Sequence, residues 1–206
     1  MKKLESTWYN MACVLTGISL VAGVALASVN KMTKDTIQEL NDMREQAAIA
    51  QVLGGGDVNI EKVDTVVVSD NNYIVMNAGQ KGVAIKAVDP LNASFGGDLV
   101  IMVGISSAGD VLGYNVLETH ETPGLGAKSA QWFQKGEKGD IIGRNLTEAE
   151  LVVSKDGGDV DAITASTITS RAFLRAVNTA YKAYCQTQQD SIETDGVSGA
   201  TQQHHN

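Results

Sequence analysis

Apolar and uncharged residues fill the chain from Tyr9 to Val29, without a single charge. About 20 such residues are needed for a helix to cross roughly 30 Å of hydrocarbon. Trp8 and Tyr9 stand at the start of the run, where amphipathic rings favour a membrane interface. The basic residues Lys2 and Lys3 and the Ala25–Ala27 segment are also typical of a cleaved signal peptide. Because the apolar run is longer than a signal core, we expect an uncleaved transmembrane anchor over residues 1–30.

The next segment has helical periodicity. Ile37, Leu40, Ala47 and Val52 recur at helix-like spacing with charged residues between them, and three glycines at 54–56 end the pattern. This predicts a linker helix over residues 31–56.

The remainder alternates between short strand-like runs and turns, and ends in one helix. Apolar β-type runs occupy 65–68, 73–76, 82–85, 99–105, 111–117 and 151–153. The runs at 99–105 and 111–117 flank a polar turn and predict a hairpin. A short helix is expected at 130–133 and a strong amphipathic helix at 168–186. The prediction is an α+β domain at 57–187, with a mixed or antiparallel sheet closed by the C-terminal helix, followed by a polar, disordered tail at 188–206.

Charge and cysteine content narrow the possible functions. The net charge is −8, and no cluster of Lys and Arg is present, which argues against a nucleic-acid partner. Cys13 and Cys185 are far apart, so the sequence offers neither a disulfide framework nor a metal site with ligands at short spacing. Any redox chemistry must therefore come from an organic cofactor.

The first candidate site is the loop His120–Gly126, which reads HETPGLG and follows the hairpin. Its glycines allow backbone groups to approach a flat ligand, while Glu121 and Thr122 supply polar groups and Leu125 an apolar contact. A surface turn with incidental polarity is the alternative. A hydrolase using His120 and Glu121 is a further alternative, but no nucleophile elbow accompanies them.

The second candidate site is the stretch Asp161–Ser170, which reads DAITASTITS and directly precedes the last helix. A helix N-terminus presents unpaired N–H groups and a partial positive charge, which suits a phosphate. The hydroxyl residues in the stretch also suit simple helix capping, so both interpretations remain open on the residues alone.

Together these two segments resemble the G subunit of the Rnf complex and, less closely, the C subunit of the sodium-translocating NADH:quinone reductase. In that family, HETPGLG is followed by Asp-x-x-[Ser/Thr]-Gly-Ala-Thr, and the last Thr carries FMN through a phosphoester bond. On this chain Asp161 and Thr164 match the motif and Thr167 is the attachment point. Ala165 and Ser166 replace the family's Gly and Ala. The tail segment DGVSGAT, which ends at Thr201, fits the letters better, but only five residues follow it and leave no room for a helix.

The resemblance implies a redox subunit, active only as part of a multi-subunit translocating oxidoreductase, that relays electrons through covalent FMN between ferredoxin and NAD. It further implies other membrane, iron–sulfur and flavin subunits as partners, a flavin transferase for maturation, and no catalytic or metal site of its own. The flavin domain is expected on the extracytoplasmic side of the inner membrane. The alternatives are a C-type quinone-reductase subunit and a cofactor-free structural subunit. The residues expected to contact the flavin are Thr164, Ala165, Ser166, Thr167, Thr169, His120, Glu121, Thr122, Leu125 and Gly126.

Overall fold

A computed structural model describes residues 7–199 of the chain. They fall into two compact units, divided between Arg44 and Glu45. The first unit is helical. It belongs to helix α1, Trp8–Val52, which covers the predicted anchor from Trp8 onward and most of the predicted linker. Over residues 8–29 the large apolar side chains of α1 are exposed, and by length and composition the helix can cross a membrane.

The second unit is built on a five-stranded sheet. The strands are β1 (Lys62–Val68), β2 (Asn71–Asn77), β3 (Val83–Val88), β4 (Leu99–Ile105) and β5 (Val111–Thr119). They lie in chain order, and each pair is antiparallel. Three of the four connections have two to five residues and the β3–β4 connection has ten, so none is long enough for a crossover, and every strand pairs with its sequence neighbour. The α+β prediction is confirmed, and the sheet is wholly antiparallel.

One face of the sheet packs against helix α3, Thr167–Gly199. Strand side chains at alternate positions, such as Ile85, Ile101 and Val103, point to this side and are fully buried. Phe173 of α3 stacks on Phe133, with ring centroids 4.5 Å apart. This core fixes α3, and so fixes where its first residue lies.

The other face packs against the last turns of α1. Ala48, Ile49 and Val52 form a second apolar cluster with strand residues that include Met102. A side chain at Gly104 would place its Cβ 2.2 Å from the Val52 carbonyl oxygen. The glycine therefore allows backbone to lie directly on the sheet at this point.

Three segments differ from the sequence expectation or refine it. Residues 151–153 do not form a strand, because Val153 makes only an isolated bridge to Val160 and a 3-10 turn, Ser154–Asp156, follows at once. The short helix expected at 130–133 is present as α2, Ser129–Trp132. Helical backbone continues past residue 187 as far as Gly199, where the sequence predicts disorder. The ends of the chain, including Lys2, Lys3, Thr201, His204 and His205, lie outside the described residues.

Candidate functional site

The first turn of α3 carries the hydroxyl-rich stretch. Thr167 is the first residue of the helix, and the first helical hydrogen bond runs from the Ser170 N–H to the Ser166 carbonyl, 3.1 Å away. The Thr167 N–H therefore precedes the hydrogen-bonded part of the helix, together with those of the next two residues. The chain enters this turn through Ala165, whose φ of +62° lies in the left-handed region.

Glu121 lies beneath this turn and is buried. Its Oε1 accepts a hydrogen bond from Thr169 Oγ1 at 2.8 Å and one from the Gly96 N–H at 3.2 Å. The Ser94 hydroxyl donates to the same oxygen. The carboxylate thus connects the loop after β5, the loop before β4 and the start of α3.

Burial alone would raise the pKa of Glu121, because it disfavours the charged form. Hydrogen bonds from Ser94, Thr169 and the backbone N–H groups of Gly96 and Phe95 outweigh that effect and lower the pKa. Glu121 is therefore a carboxylate at neutral pH, held by hydroxyl and amide donors.

A small cavity opens directly above Glu121. Its volume is about 130 Å³, and it is lined by Phe95, Glu121, Thr122, Leu125, Ala165, Ser166, Thr167, Ile168 and Thr169. Three of these lining residues are apolar and substantially exposed: Phe95 at 74%, Ile168 at 51% and Leu125 at 41%. The cavity therefore has a polar floor and an apolar rim.

An ammonium group contacts the hydroxyl of Thr167. Lys155 Nζ donates to Thr167 Oγ1 across 3.1 Å. Next to it in sequence, Asp156 accepts two hydrogen bonds from Arg171, at 2.6 and 2.7 Å. This pairing lowers the pKa of Asp156 and raises that of Arg171.

Most of the predicted flavin-contacting residues do meet at this cavity. The two sequence motifs contribute Glu121, Thr122 and Leu125 from one side and Ala165, Ser166, Thr167 and Thr169 from the other. Gly126 also belongs here, because a Cβ on it would lie 2.2 Å from Glu121 Oε2. The glycine leaves the space that the carboxylate occupies.

Three predicted residues are not among the residues that line the cavity: Gly126, which leaves room for Glu121, and also Thr164 and His120. Thr164 is exposed. His120 is also exposed, and its Nε2 lies 3.9 Å from the Glu118 carboxylate. Within residues 7–199, no group of His, Cys, Asp or Glu side chains is arranged to hold a metal ion.

Sequence reasoning missed four residues of the site: Ser94, Phe95, Lys155 and Ile168. Ser94 and Phe95 lie in an irregular loop between β3 and β4 that has no apolar period. Lys155 resembles any exposed lysine in the sequence. Ile168 follows Thr167 at the start of the helix. A large apolar residue within a cluster of hydroxyl residues was the feature of the sequence that could have indicated it.

The residues present fit an FMN phosphate, the cofactor that the resemblance implies. The Thr167 hydroxyl, the first N–H groups of α3 and the Lys155 ammonium offer one oxygen, several donors and one positive charge. At about 130 Å³ the cavity is smaller than the roughly 300 Å³ or more of pockets that enclose small ligands. It has room for a phosphate, and the exposed apolar rim offers a surface for the flavin ring.

Comparisons with known proteins agree with this fit. Residues 94–182 match the family model of the FMN-binding domain. The G subunit of the ion-translocating oxidoreductase complex of Shewanella baltica is 33% identical over 183 residues, 82% of each chain. Its namesake from Escherichia coli is 35% identical, over 78% of this chain and 82% of the relative. The G subunit of the Na(+)-translocating ferredoxin:NAD(+) oxidoreductase complex of Acetobacterium woodii is 27% identical over 89% of this chain and 96% of the relative. The chain therefore belongs to the family of G subunits of ion-translocating oxidoreductase complexes, and it carries the FMN-binding domain of that family.

Proposed function

We propose that this protein is the flavoprotein subunit of an Rnf-type ferredoxin:NAD oxidoreductase, with FMN joined by a phosphoester bond to Thr167. The main support for Thr167 as the attachment site is the position of its hydroxyl. It stands at the first residue of α3, lines the site cavity and lies 3.1 Å from the ammonium of Lys155.

Thr167 is favoured over its neighbours because the other hydroxyls of the stretch have structural tasks. Ser166 and Thr169 are buried, and their hydroxyls bond to each other at 2.8 Å. The Ser170 hydroxyl donates to the Ser166 carbonyl and accepts from the Ile163 N–H. Thr164 is exposed, and it is not among the cavity-lining residues. Thr167 alone among these five is partly exposed and also has a place in the cavity wall.

Attachment needs an activated flavin nucleotide, because joining an alcohol to free FMN in water is unfavourable. In the step that we propose, Thr167 Oγ1 forms a bond to the phosphorus atom that carries the flavin. The phosphoanhydride bond to the leaving phosphate group breaks, and the hydroxyl proton passes to a base of the flavin transferase. The product is a phosphodiester with one negative charge at the N-terminus of α3, where the helix dipole stabilises it.

The residues of the site bind and orient the cofactor. Glu121 fixes the first turn of α3 through Thr169, and so fixes the direction of the tether. Phe95, Leu125 and Ile168 supply exposed apolar contacts next to the attachment point. Bound FMN supplies the capacity to exchange one or two electrons, which allows a relay between one-electron and two-electron carriers.

Helix α1 supports a membrane location for this relay, because it is long and apolar enough to cross a membrane and carries no charged side chain from Tyr9 to Val29. We further propose that α1 anchors the protein in the inner membrane with the flavin domain on the extracytoplasmic side. There the domain exchanges electrons with other membrane, iron–sulfur and flavin subunits of the complex. The relative from Acetobacterium woodii, named for ferredoxin and NAD(+), favours this assignment over a C-type quinone-reductase subunit or a cofactor-free structural subunit.

Mass spectrometry of the matured protein tests the attachment. The tryptic peptide Asp156–Arg171 is expected to carry an FMN-sized addition that fragmentation places on Thr167. The variant Thr167→Ala is expected to fold but to carry no covalent flavin. The matched control Thr147→Ala, at an exposed threonine outside both motifs, is expected to keep it. An unmodified peptide in matured wild-type protein, or an adduct elsewhere, would refute the assignment to Thr167.

A further inference from the structure

The turn Ser154–Asp156 is held against the first turn of α3 by a two-pronged ion pair. The guanidinium of Arg171 donates to both carboxylate oxygens of Asp156, at 2.6 and 2.7 Å. This fork geometry restricts orientation as well as distance. Both side chains are partly exposed, so we expect the pair to act through geometry more than through stability.

The backbone after the turn is also constrained. Gly157 has a φ of +90°, a conformation that residues with a Cβ rarely adopt. At Gly158 a Cβ would lie 2.1 Å from the Val152 carbonyl oxygen. These two glycines bring the chain sharply back towards α3, and Lys155 stands at the centre of the turn.

Lys155 is thereby directed at one atom. Its Nζ lies 3.1 Å from Thr167 Oγ1, and the neighbouring Asp156 carboxylate faces Arg171. The lysine charge thus meets a neutral hydroxyl. An ammonium next to a neutral oxygen is well placed for a group that becomes anionic only after the oxygen has been modified.

We propose that Lys155 is a specific determinant of flavin attachment, and that Asp156 and Arg171 are positioning residues that hold it over Thr167. The inference rests on the proposed esterification of Thr167. Lys155 acts as a hydrogen-bond donor. Its hydrogen bond stabilises negative charge that develops on Thr167 Oγ1 as the hydroxyl proton leaves, and its charge then neutralises the phosphodiester.

The test measures the rate at which a flavin transferase, with an activated flavin nucleotide, labels the purified full-length protein. Lys155→Gln is expected to slow attachment by roughly fivefold to tenfold, and Lys155→Arg to restore most of the rate. The matched control is Lys182→Gln, which removes an exposed ammonium of α3 that pairs with Glu150 at 2.8 Å. That control is expected to label at the wild-type rate.

A second measurement separates charge from packing. Raising ionic strength is expected to slow wild-type labelling more than labelling of Lys155→Gln, since exposed charges are screened. Asp156→Asn is expected to give an intermediate rate, because the lysine remains but its turn loses the two-pronged pair. Thermal melting of each apo variant is expected to stay close to that of the wild type, as the side chains concerned are exposed.

The outcomes distinguish the two levels of the proposal. Labelling of Lys155→Gln at the wild-type rate, with flavin on Thr167, overturns the role of Lys155 and leaves the attachment site intact. The same holds if Lys155→Arg is as slow as Lys155→Gln, or if Lys182→Gln is slowed equally. Wild-type protein labelled at a residue other than Thr167 overturns the attachment site itself.

Discussion

Glu121 and Thr169 lie 48 positions apart in the chain, yet a 2.8 Å hydrogen bond joins the Thr169 hydroxyl to the Glu121 carboxylate. The bond connects the two sequence motifs directly. It also leaves the Thr169 oxygen buried and engaged, which supports the proposed attachment at Thr167 over attachment at Thr169. One carboxylate thus determines where the first turn of α3 lies and which hydroxyl remains accessible.

We expect Glu121→Gln to destabilise the domain by about 1–3 kcal/mol, because a buried network loses its charged acceptor and gains an amide donor without a partner. Urea unfolding, followed by circular dichroism, measures the change. Glu118→Gln is the matched control: that side chain is 58% exposed, and its substitution is expected to cost little. Equal stability of the two variants would contradict the structural role given to Glu121.

The lowered pKa of Glu121 predicts a specific pH dependence of stability. An unfolded glutamate titrates near pH 4.3. Because the folded pKa lies lower, the stabilising contribution is fully present above that pH and is lost as the pH falls through the folded pKa. Unfolding titrations at descending pH should therefore show an acid limb that is shallower in Glu121→Gln. Identical acid limbs would show that another carboxylate dominates the dependence.

The residue that directly follows β3, Asp89, gives a second test of the fold. The Asp89 side chain is almost fully buried and accepts two hydrogen bonds from Arg175 of α3, both at 2.9 Å. It also accepts the Ala93 N–H at 2.8 Å. We expect Asp89→Ala to cost about 2–3 kcal/mol, since the arginine and the amide lose their partner. Arg175→Met is expected to cost at least as much, because it leaves the Asp89 carboxylate buried without its counter-charge, whereas the Arg175 side chain is 31% exposed and can reach solvent when Asp89 is removed. A double-mutant cycle measures the coupling between the two side chains.

Much of this architecture could be predicted from the sequence because the signals are local. The short apolar runs of the strands, the apolar stripe of the last helix and the uncharged run of the anchor each lie within a few consecutive turns or residues of the chain. The two motifs identified the cavity because they carry glycines and hydroxyls in unusual density. Glu121 and Thr169 both stand in those motifs, but their hydrogen bond could not be predicted, because a pairing over 48 positions depends on the packing of the whole sheet.

The residues that sequence reasoning misjudged show the same limit. Lys155 has no local pattern to set it apart, and only the turn that Arg171 holds brings it to Thr167. His120 stands in a distinctive motif, yet the backbone directs it towards Glu118 at the surface. The prediction of a strand at residues 151–153 was wrong. A short apolar run is found in strands, but it is found equally in irregular segments whose side chains are buried in the core. Leu151 and Val153 are buried in this way here.

Contact between the last turn of α1, at Val52, and the sheet leads to a prediction about two paired glycines. Gly104 and Gly113 face each other across β4 and β5. A Cβ on Gly104 would lie 2.2 Å from the Val52 carbonyl oxygen, whereas on Gly113 its nearest contact would be 3.3 Å from Val52 Cα. We expect Gly104→Ala to cost about 1–3 kcal/mol and Gly113→Ala clearly less, both measured by urea unfolding of the full chain. A larger loss for Gly113→Ala would contradict this packing of α1 on the sheet.

Ala165 offers the opposite kind of test, a substitution that should stabilise. Its φ of +62° is strained for a residue with a Cβ and suits glycine, the residue that the resembled motif places there. We expect Ala165→Gly to raise stability by about 0.5–1 kcal/mol, because relief of strain outweighs the added freedom of the unfolded chain. Ala162→Gly is the matched control. Ala162 is three residues away and its φ is not positive, so the same change there is expected to destabilise. Thermal melting of both variants decides the matter: a loss of stability in Ala165→Gly would mean that the turn before Thr167 does not hold the left-handed conformation from which the proposed attachment is argued.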